Sequence, residues 1–241
     1  MKQLALATST RTASLCLWQG DRLVLEAVTN RRQRVSAQLI ATIQQLLREA
    51  KWQPHQLQVI SISLGPGSFT GLRLGITTAK TLAYALDCLL IPVSTHLILA
   101  HQAVAAADRD LLKTQPEAES VSRIATVIDA QRGQWFAQQH ERHTDGLILS
   151  LDESSVLDPQ TCLDSLKEPT LLCGPGLGRQ PQRWILPPTA RMVSQQAWQP
   201  MARTIGRMVA EQPDRFPPAD PFQLLPVYGR PSAAEEKLTD D

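Results

Sequence analysis

The stretch Gly65-Pro66-Gly67-Ser68-Phe69-Thr70-Gly71 puts three glycines into seven residues, between a β-branched run ending at Leu64 and a helical pattern starting at Thr70. Glycines at a strand-to-helix turn let another group approach the backbone, and the first helical turn leaves N–H groups without partners. A phosphate or carboxylate suits that chemistry, so Gly65, Gly67, Ser68, Thr70 and Gly71 are candidate anion or nucleotide contacts. The same glycines equally serve a tight turn and close helix packing, with no ligand. No Gly-Lys-Ser or Gly-Lys-Thr closes the loop, so it is not a P-loop.

The other chemistry-bearing residues form no complete set. Ser68 lacks the Gly-x-Ser-x-Gly elbow, and no His–Asp pair is identifiable to activate it. Asp129 and Asp158 pair only if the fold brings them together. His96 and His101 are five residues apart, about 140° around a helix, so they do not share a metal-binding face and read as ordinary polar helix residues. His55, His140 and His143 offer no better set. Cys16, Cys88, Cys162 and Cys173 contain no C-x-x-C pair, which argues against zinc and against a disulfide framework. Arg31-Arg32-Gln33-Arg34 can touch nucleic-acid phosphate, but a solvated charge run is the plainer reading, since positive charge opposes the dipole at a helix N-terminus.

The elements that must position these residues follow from periodicity. Leu4–Thr8, Ala13–Trp18 and Arg22–Thr29 read as a meander of strands, then Val35–Ala50 switches to helical spacing with Pro54 beyond it. Val59–Leu64 reads as a buried strand, Thr70–Leu86 as a helix, Leu89–Val93 as a strand, and Ser94 or Thr95 caps a helix to about Ala107. That order gives an α/β unit with a mixed sheet. Asp108–Ser122 is polar and contains Pro116, so a domain boundary falls there. Beyond it come strands at Ile124–Asp129, Gln134–His140 and Leu147–Leu151, a helix at Thr161–Leu166, a strand at Thr170–Cys173, and a helix from Pro200 to about Glu211. The 241 residues carry 24 basic and 23 acidic side chains, net charge +1, without the basic excess of a protein that holds nucleic acid by global charge. No apolar run reaches the ~20 residues of a membrane span, and the N-terminus lacks a signal-peptide pattern, so a cytoplasmic protein is expected.

The run Leu64-Gly65-Pro66-Gly67-Ser68-Phe69-Thr70-Gly71-Leu72-Arg73-Leu74-Gly75 resembles the signature of the TsaB (YeaZ) family. Leu4–Thr10 with Ala13-Ser14-Leu15, Pro92-Val93-Ser94-Thr95, Val127–Gly133 and Pro226–Pro231 resemble further family segments in the right order. The resemblance is dense over roughly the first 135 residues and thin from there to Pro226. It implies a two-domain actin-like (ASKHA, ribonuclease H-like) α/β fold with a mixed five-stranded sheet in the N-terminal domain. The expected division is 1–107, to which the 200–211 helix returns, a smaller actin-like domain at 108–199, and a C-terminal extension at 212–241. It implies a cytoplasmic, non-catalytic accessory subunit of tRNA threonylcarbamoyladenosine synthesis. Such a subunit pairs with and activates TsaD, which modifies the adenosine beside the anticodon of tRNAs reading A-starting codons. TsaE would be a further partner, a homodimer would form when the chain is alone, and tRNA would be contacted indirectly.

One departure bears on cofactors. The resemblance implies an Asp at the end of the first strand, where this chain has Ala7, so the main acidic partner for a nucleotide's metal ion is missing. The positions matching the metal-binding histidines of TsaD are Thr95 and Leu99. No cofactor of its own is expected, with ATP or ADP at the interface of the complex. Gly174 and Gly176, in Gly174–Gly178, match the place where actin-like folds contact adenosine, though a plain glycine turn fits as well. The rival readings are a self-sufficient actin-like ATPase or small-molecule kinase and, with no supporting nucleophile or metal set, a peptidase. On the helix Thr70–Leu86, Arg73, Thr77, Lys80, Thr81 and Tyr84 form a polar arc, while Gly71, Gly75, Ala79 and Ala83 recur every four residues as a shallow groove. With the resemblance, this nominates Leu39, Ile40, Ile43 and Leu47 of the first helix and Leu72, Gly75, Ile76, Ala79 and Ala83 of the second as a partner interface. The competing reading is that both helices pack on each other and on the sheet.

Overall fold

The computed structural model describes residues 1–29, 35–114, 121–179 and 184–230. The run Arg31–Arg34 and the last eleven residues of the expected C-terminal extension lie outside the described residues.

The first half is β1 (Lys2–Ala7), β2 (Ser14–Gln19), β3 (Arg22–Val28), α1 (Val35–Glu49), β4 (Val59–Gly65), α2 (Phe69–Leu86), β5 (Leu89–Ser94) and α3 (Thr95–Thr114). Its strands form the mixed five-stranded sheet β3-β2-β1-β4-β5, antiparallel through the meander and parallel across β1, β4 and β5. Alternation along the strands shows why both faces are covered. Leu4, Leu6, Leu15, Leu17, Ile60 and Ile62 point to a core shared with α1 and α2. The intervening Ala5, Ala7, Cys16 and Val59 point to a second core.

The second half repeats the plan with β6 (Arg123–Asp129), β7 (Trp135–Arg142), β8 (Ile148–Ser150), β9 (Ser155–Leu157), α4 (Pro159–Asp164), β10 (Thr170–Cys173), β11 (Ala190–Met192) and α5 (Ala202–Glu211). The order β11-β10-β6-β7-β8 is again antiparallel on one side and parallel on the other, and β9 adds a third partner to β7.

The helix that follows each sheet covers the other one. Helix α3 places Leu99, Ala100, Ala103 and Ala107 against Ile124, Ile128 and Leu171 of the second sheet. Helix α5 returns to the first sheet, where Ala202, Ile205, Met208 and Val209 meet Ala5, Ala7 and Cys16. Small residues make that contact close: a Cβ on Gly206 would stand 3.3 Å from Trp18 and 3.4 Å from the Cys16 sulfur. The buried Gln102 of α3 ties the crossing. Its Nε2 donates to the carbonyls of Ala197 (2.9 Å) and Gln199 (2.7 Å), and its Oε1 accepts from Met201 N (2.8 Å) and Thr204 Oγ1 (3.2 Å).

Several elements differ from the sequence expectation. Helix α3 runs to Thr114 rather than ending near Ala107: its polar residues stay helical, Asp108 accepting from Arg142 Nη1 (2.8 Å) of β7 and Arg109 Nε bonding back to the Ala105 carbonyl (3.0 Å) of the same helix. Helix α4 starts at Pro159, earlier than Thr161, with Asp158 as its cap. Strands β9 and β11 were not anticipated; three residues each are too few for a period to show.

Candidate functional site

The glycine loop sits where β4 ends and α2 begins, against the turn between β1 and β2. Ser68 caps α2: its Oγ accepts from Gly71 N (3.3 Å) and its carbonyl from Leu72 N (2.8 Å). Its own N–H donates to the Ser9 carbonyl (2.7 Å), and Thr8 N donates to Ser63 Oγ (3.0 Å), so loop and turn are laced together. The glycines are required by this closeness. A Cβ on Gly67 would overlap the Ser9 carbonyl, one on Gly71 the Thr8 carbonyl, and one on Gly75 the Thr8 side chain. Gly65, at a positive φ, faces the carbonyl of Val227 from the C-terminal segment. Backbone oxygens therefore fill the Cβ side of Gly65, Gly67 and Gly71, and the Thr8 side chain fills that of Gly75. Ala7 is buried in the core facing α5. Thr70 is exposed on the first turn of α2.

The second glycine turn is also built by packing. Gly174, at φ +135°, lies against the Val127 backbone of β6, and the Gly176 carbonyl accepts from Trp135 Nε1 (3.1 Å). A Cβ on Gly176 would press on the Trp135 ring at 3.0 Å.

The residues nominated for a partner interface are mostly inside the chain. Leu39, Ile43, Leu47, Leu72, Ile76, Ala79 and Ala83 all belong to the core between α1, α2 and the first sheet, and Gly75 is buried against Thr8. Ile40 alone among them is exposed, at 47%. The apolar arc of α2 serves the sheet, and the small-residue row gives the close approach of Thr8 rather than an open groove. The polar arc has partners too: Arg73 Nε donates to the Tyr228 hydroxyl (2.8 Å), Lys80 Nζ to the Leu224 carbonyl (2.9 Å), and Tyr84 meets Phe222 edge-on.

His96 is not an ordinary polar helix residue but a fully buried one. Its Nδ1 lies 2.8 Å from Thr126 Oγ1 and its Nε2 2.9 Å from Ser154 Oγ, while Thr126 Oγ1 also meets His140 Nε2 at 3.1 Å. The Thr126 hydroxyl donates to the Gln138 carbonyl (3.2 Å), so the network assigns the Nδ1 proton to His96 and the Nε2 proton to His140, each donating to Thr126. Burial lowers the His96 pKa to about 3 and that of His140 to about 4, which keeps both rings neutral. His101 is lowered to about 4, by burial first and by Arg207 and Arg215 next. Asp129 and Asp158 do not pair; each carboxylate accepts a backbone N–H two residues on, from Gln131 and Gln160 (both 2.9 Å). Among the described residues no group of three or more His, Cys, Asp and Glu is placed to hold a metal ion. The four cysteines are free thiols, and burial pushes those of Cys162 and Cys173 up to about 12.

The C-terminal segment 219–230 lies along α2 and the glycine loop, a placement with no local signal in the sequence. Only its resemblance over Pro226–Pro231 marked it, because contacts across a hundred or more residues leave no local period.

Comparison with known proteins agrees with this architecture. The family model described as TsaD, tRNA N6-adenosine threonylcarbamoyltransferase, matches residues 26–147. The chain is 30% identical over 177 residues to the tRNA threonylcarbamoyladenosine biosynthesis protein TsaB of Bacillus subtilis (strain 168), covering 72% of this chain and 71% of the relative. It is 23% identical over 227 residues to the protein of the same name from Escherichia coli (strain K12), covering 94% and 85%. The structure of YeaZ from Pseudomonas aeruginosa superposes with a TM-score of 0.75 at 25% identity, covering 94% of this chain and 99% of that one.

Proposed function

The chain belongs to the TsaB (YeaZ) family, with an actin-like α/β fold matched over residues 26–147 by the TsaD model, and on that premise we propose that it is a non-catalytic subunit of tRNA threonylcarbamoyladenosine synthesis. In this reading it pairs with and activates TsaD, which transfers the threonylcarbamoyl group to the adenosine beside the anticodon of tRNAs reading A-starting codons. TsaE joins as a further partner, tRNA is contacted indirectly, the chain pairs with itself when alone, and the complex works in the cytoplasm.

The observation that carries the accessory role is the state of the glycine loop. Its glycines are taken up by the backbone of the β1–β2 turn and by Val227, and the strand end beside them holds the buried Ala7 instead of a carboxylate. A self-sufficient ATPase or kinase needs an open phosphate cradle and an acidic partner for the metal there. We assign no nucleotide to this chain alone; ATP or ADP would sit at the interface with TsaD. The partner surface in this proposal is the outer side of α1, with Ile40 as its apolar contact, and the part of α2 around the exposed Thr77 and Thr81, with the buried interface candidates shaping the helices from within.

Co-purification tests the pairing. The chain should retain TsaD on an affinity resin and, alone, should hydrolyse no ATP above a buffer control. ATP turnover that survives purification and is lost on changing Gly65 or Gly174 would favour the kinase-like reading.

A further inference from the structure

The C-terminal segment touches both halves of the molecule in sequence order. Ala219 N donates to the Leu90 carbonyl (2.8 Å) at the edge of the first sheet, and the Leu224 carbonyl then receives Lys80 Nζ from α2 (2.9 Å). Val227 N donates to the Leu64 carbonyl (3.0 Å), and the Val227 carbonyl covers Gly65. The Tyr228 ring stacks on Phe69 with centroids 4.5 Å apart and binds Arg73 through its hydroxyl, while the Arg73 guanidinium lies 4.0 Å above the Phe69 ring. At Gly229 the chain takes a positive φ and passes so close to Phe136 of β7 that a Cβ would overlap the ring. Arg230 ends the crossing on the β6–β7 turn, where Nη1 donates to the Ala130 carbonyl (2.9 Å) and Nη2 to Gln134 Oε1.

We propose that residues 226–230 are an intramolecular latch, seated on the glycine loop of the first half and hooked by Arg230 onto the β6–β7 turn of the second. Three features separate a latch from a loop that only lies on the surface. Its seat and its hook are in different halves. The glycine at the crossing is demanded by the ring beneath it. The hook is a charged fork satisfied by two acceptors of one turn. The latch adds to the other ties between the halves, which include the packing of α3 and α5 and the hydrogen bond from Arg215 Nη2 to the Ile148 carbonyl of β8. Anything that approaches Gly65 from the side its Cβ would occupy must first lift Val227.

Hydrogen exchange read by mass spectrometry on the full chain tests this with two variants. Arg230→Ala removes the hook and leaves the seat, so amides of the β6–β7 turn, among them Ala130 and Gln134, should exchange on the order of tenfold faster, with Ser68 and Leu72 unchanged. Val227→Pro removes the donor to Leu64, so the glycine-loop amides and the turn amides should speed up together. In both variants the central strands β1 and β6 should keep their protection. Unchanged exchange at the turn in Arg230→Ala overturns the latch. So does loss of protection throughout β6 and β7 in that variant, because the segment is then ordinary core.

Discussion

The two halves share one strand plan and use it differently. Both sheets run antiparallel on one side and parallel on the other, with β1 and β6 at the centre. In both, a glycine at positive φ stands at the end of the strand parallel to the central one, Gly65 as the last residue of β4 and Gly174 just after β10. The first half then builds the 18-residue α2 and carries the 15-residue α1, whereas before α5 the second has a short turn at Pro175–Arg179 and the six-residue α4. The central strands also end differently. Asp129 closes its turn with its own carboxylate, while Ala7 has no polar side chain and the next residue, Thr8, borrows Ser63. The lesson is that the sheet plan survives with shorter helices of its own and one, α3, lent by the first half, while the glycine row of α2 is tied to one neighbour, the β1–β2 turn.

The strongest way to break the comparison is at that row. Gly71→Ala should clash with the Thr8 carbonyl, a backbone atom with little freedom, and lower stability by about 3 kcal/mol in urea titration. Gly75→Leu should fail to fold. In the second glycine turn Gly178 has nothing near its missing Cβ, so Gly178→Ala should stay within about 0.5 kcal/mol of the parent. Equal effects at the two sites would mean that the halves are not specialised as described.

Next in size is the crossing of α3 and α5. Gln102→Leu leaves the N–H of Met201 and the carbonyls of Ala197 and Gln199 without this partner, and should cost about 2–3 kcal/mol. Thermal melting should show the loss in both halves, since the bonded groups lead into the helix that covers the first sheet.

Acid should separate the halves. His96, His101 and His140 lie on α3 and β7, with folded pKa values of about 3, 4 and 4 against an ordinary 6.5. The unfolded chain binds these protons first, so the favourable neutral state is complete above about pH 6.5 and stability falls as the pH drops towards 4. Each histidine contributes a slope approaching about 1.4 kcal/mol per pH unit inside that window. Amides of β6 and β7 should lose protection before those of β1 and β4. His96→Gln should flatten the slope.

The smallest effect on stability is expected at Ile40. Ile40→Asp should change it by less than about 0.5 kcal/mol, because the side chain is half exposed, yet weaken retention of TsaD. Ile43→Asp, by contrast, buries a charge in the core and should unfold the chain, so its loss of pairing would say nothing about an interface.

The strands and long helices of the first half were legible because each carries enough residues for its period to show, as in Val59–Leu64 and Thr70–Leu86. Strands β9 and β11 were not, since three residues carry no period. The glycine loop was found from composition, but its occupant was not: the Thr8 turn and Val227 reach it through the fold, from 50 residues or more away. For the same reason an apolar all-round helix did not reveal which of its faces the sheet would take. His96 was misread because a lone histidine on a helix gives no sign of Thr126 and Ser154 across the other sheet.

Reconstituted tRNA modification tests the central claim most directly. TsaD, TsaE, tRNA, ATP and the threonylcarbamoyl precursors are combined with and without this chain, and modified adenosine is counted. The account predicts modification only when the chain is present, with full activity retained by a variant in which Thr70 and Ser68 are both replaced by alanine, provided that it stays folded. Equal modification without the chain, or turnover by the chain in the absence of TsaD, would contradict it.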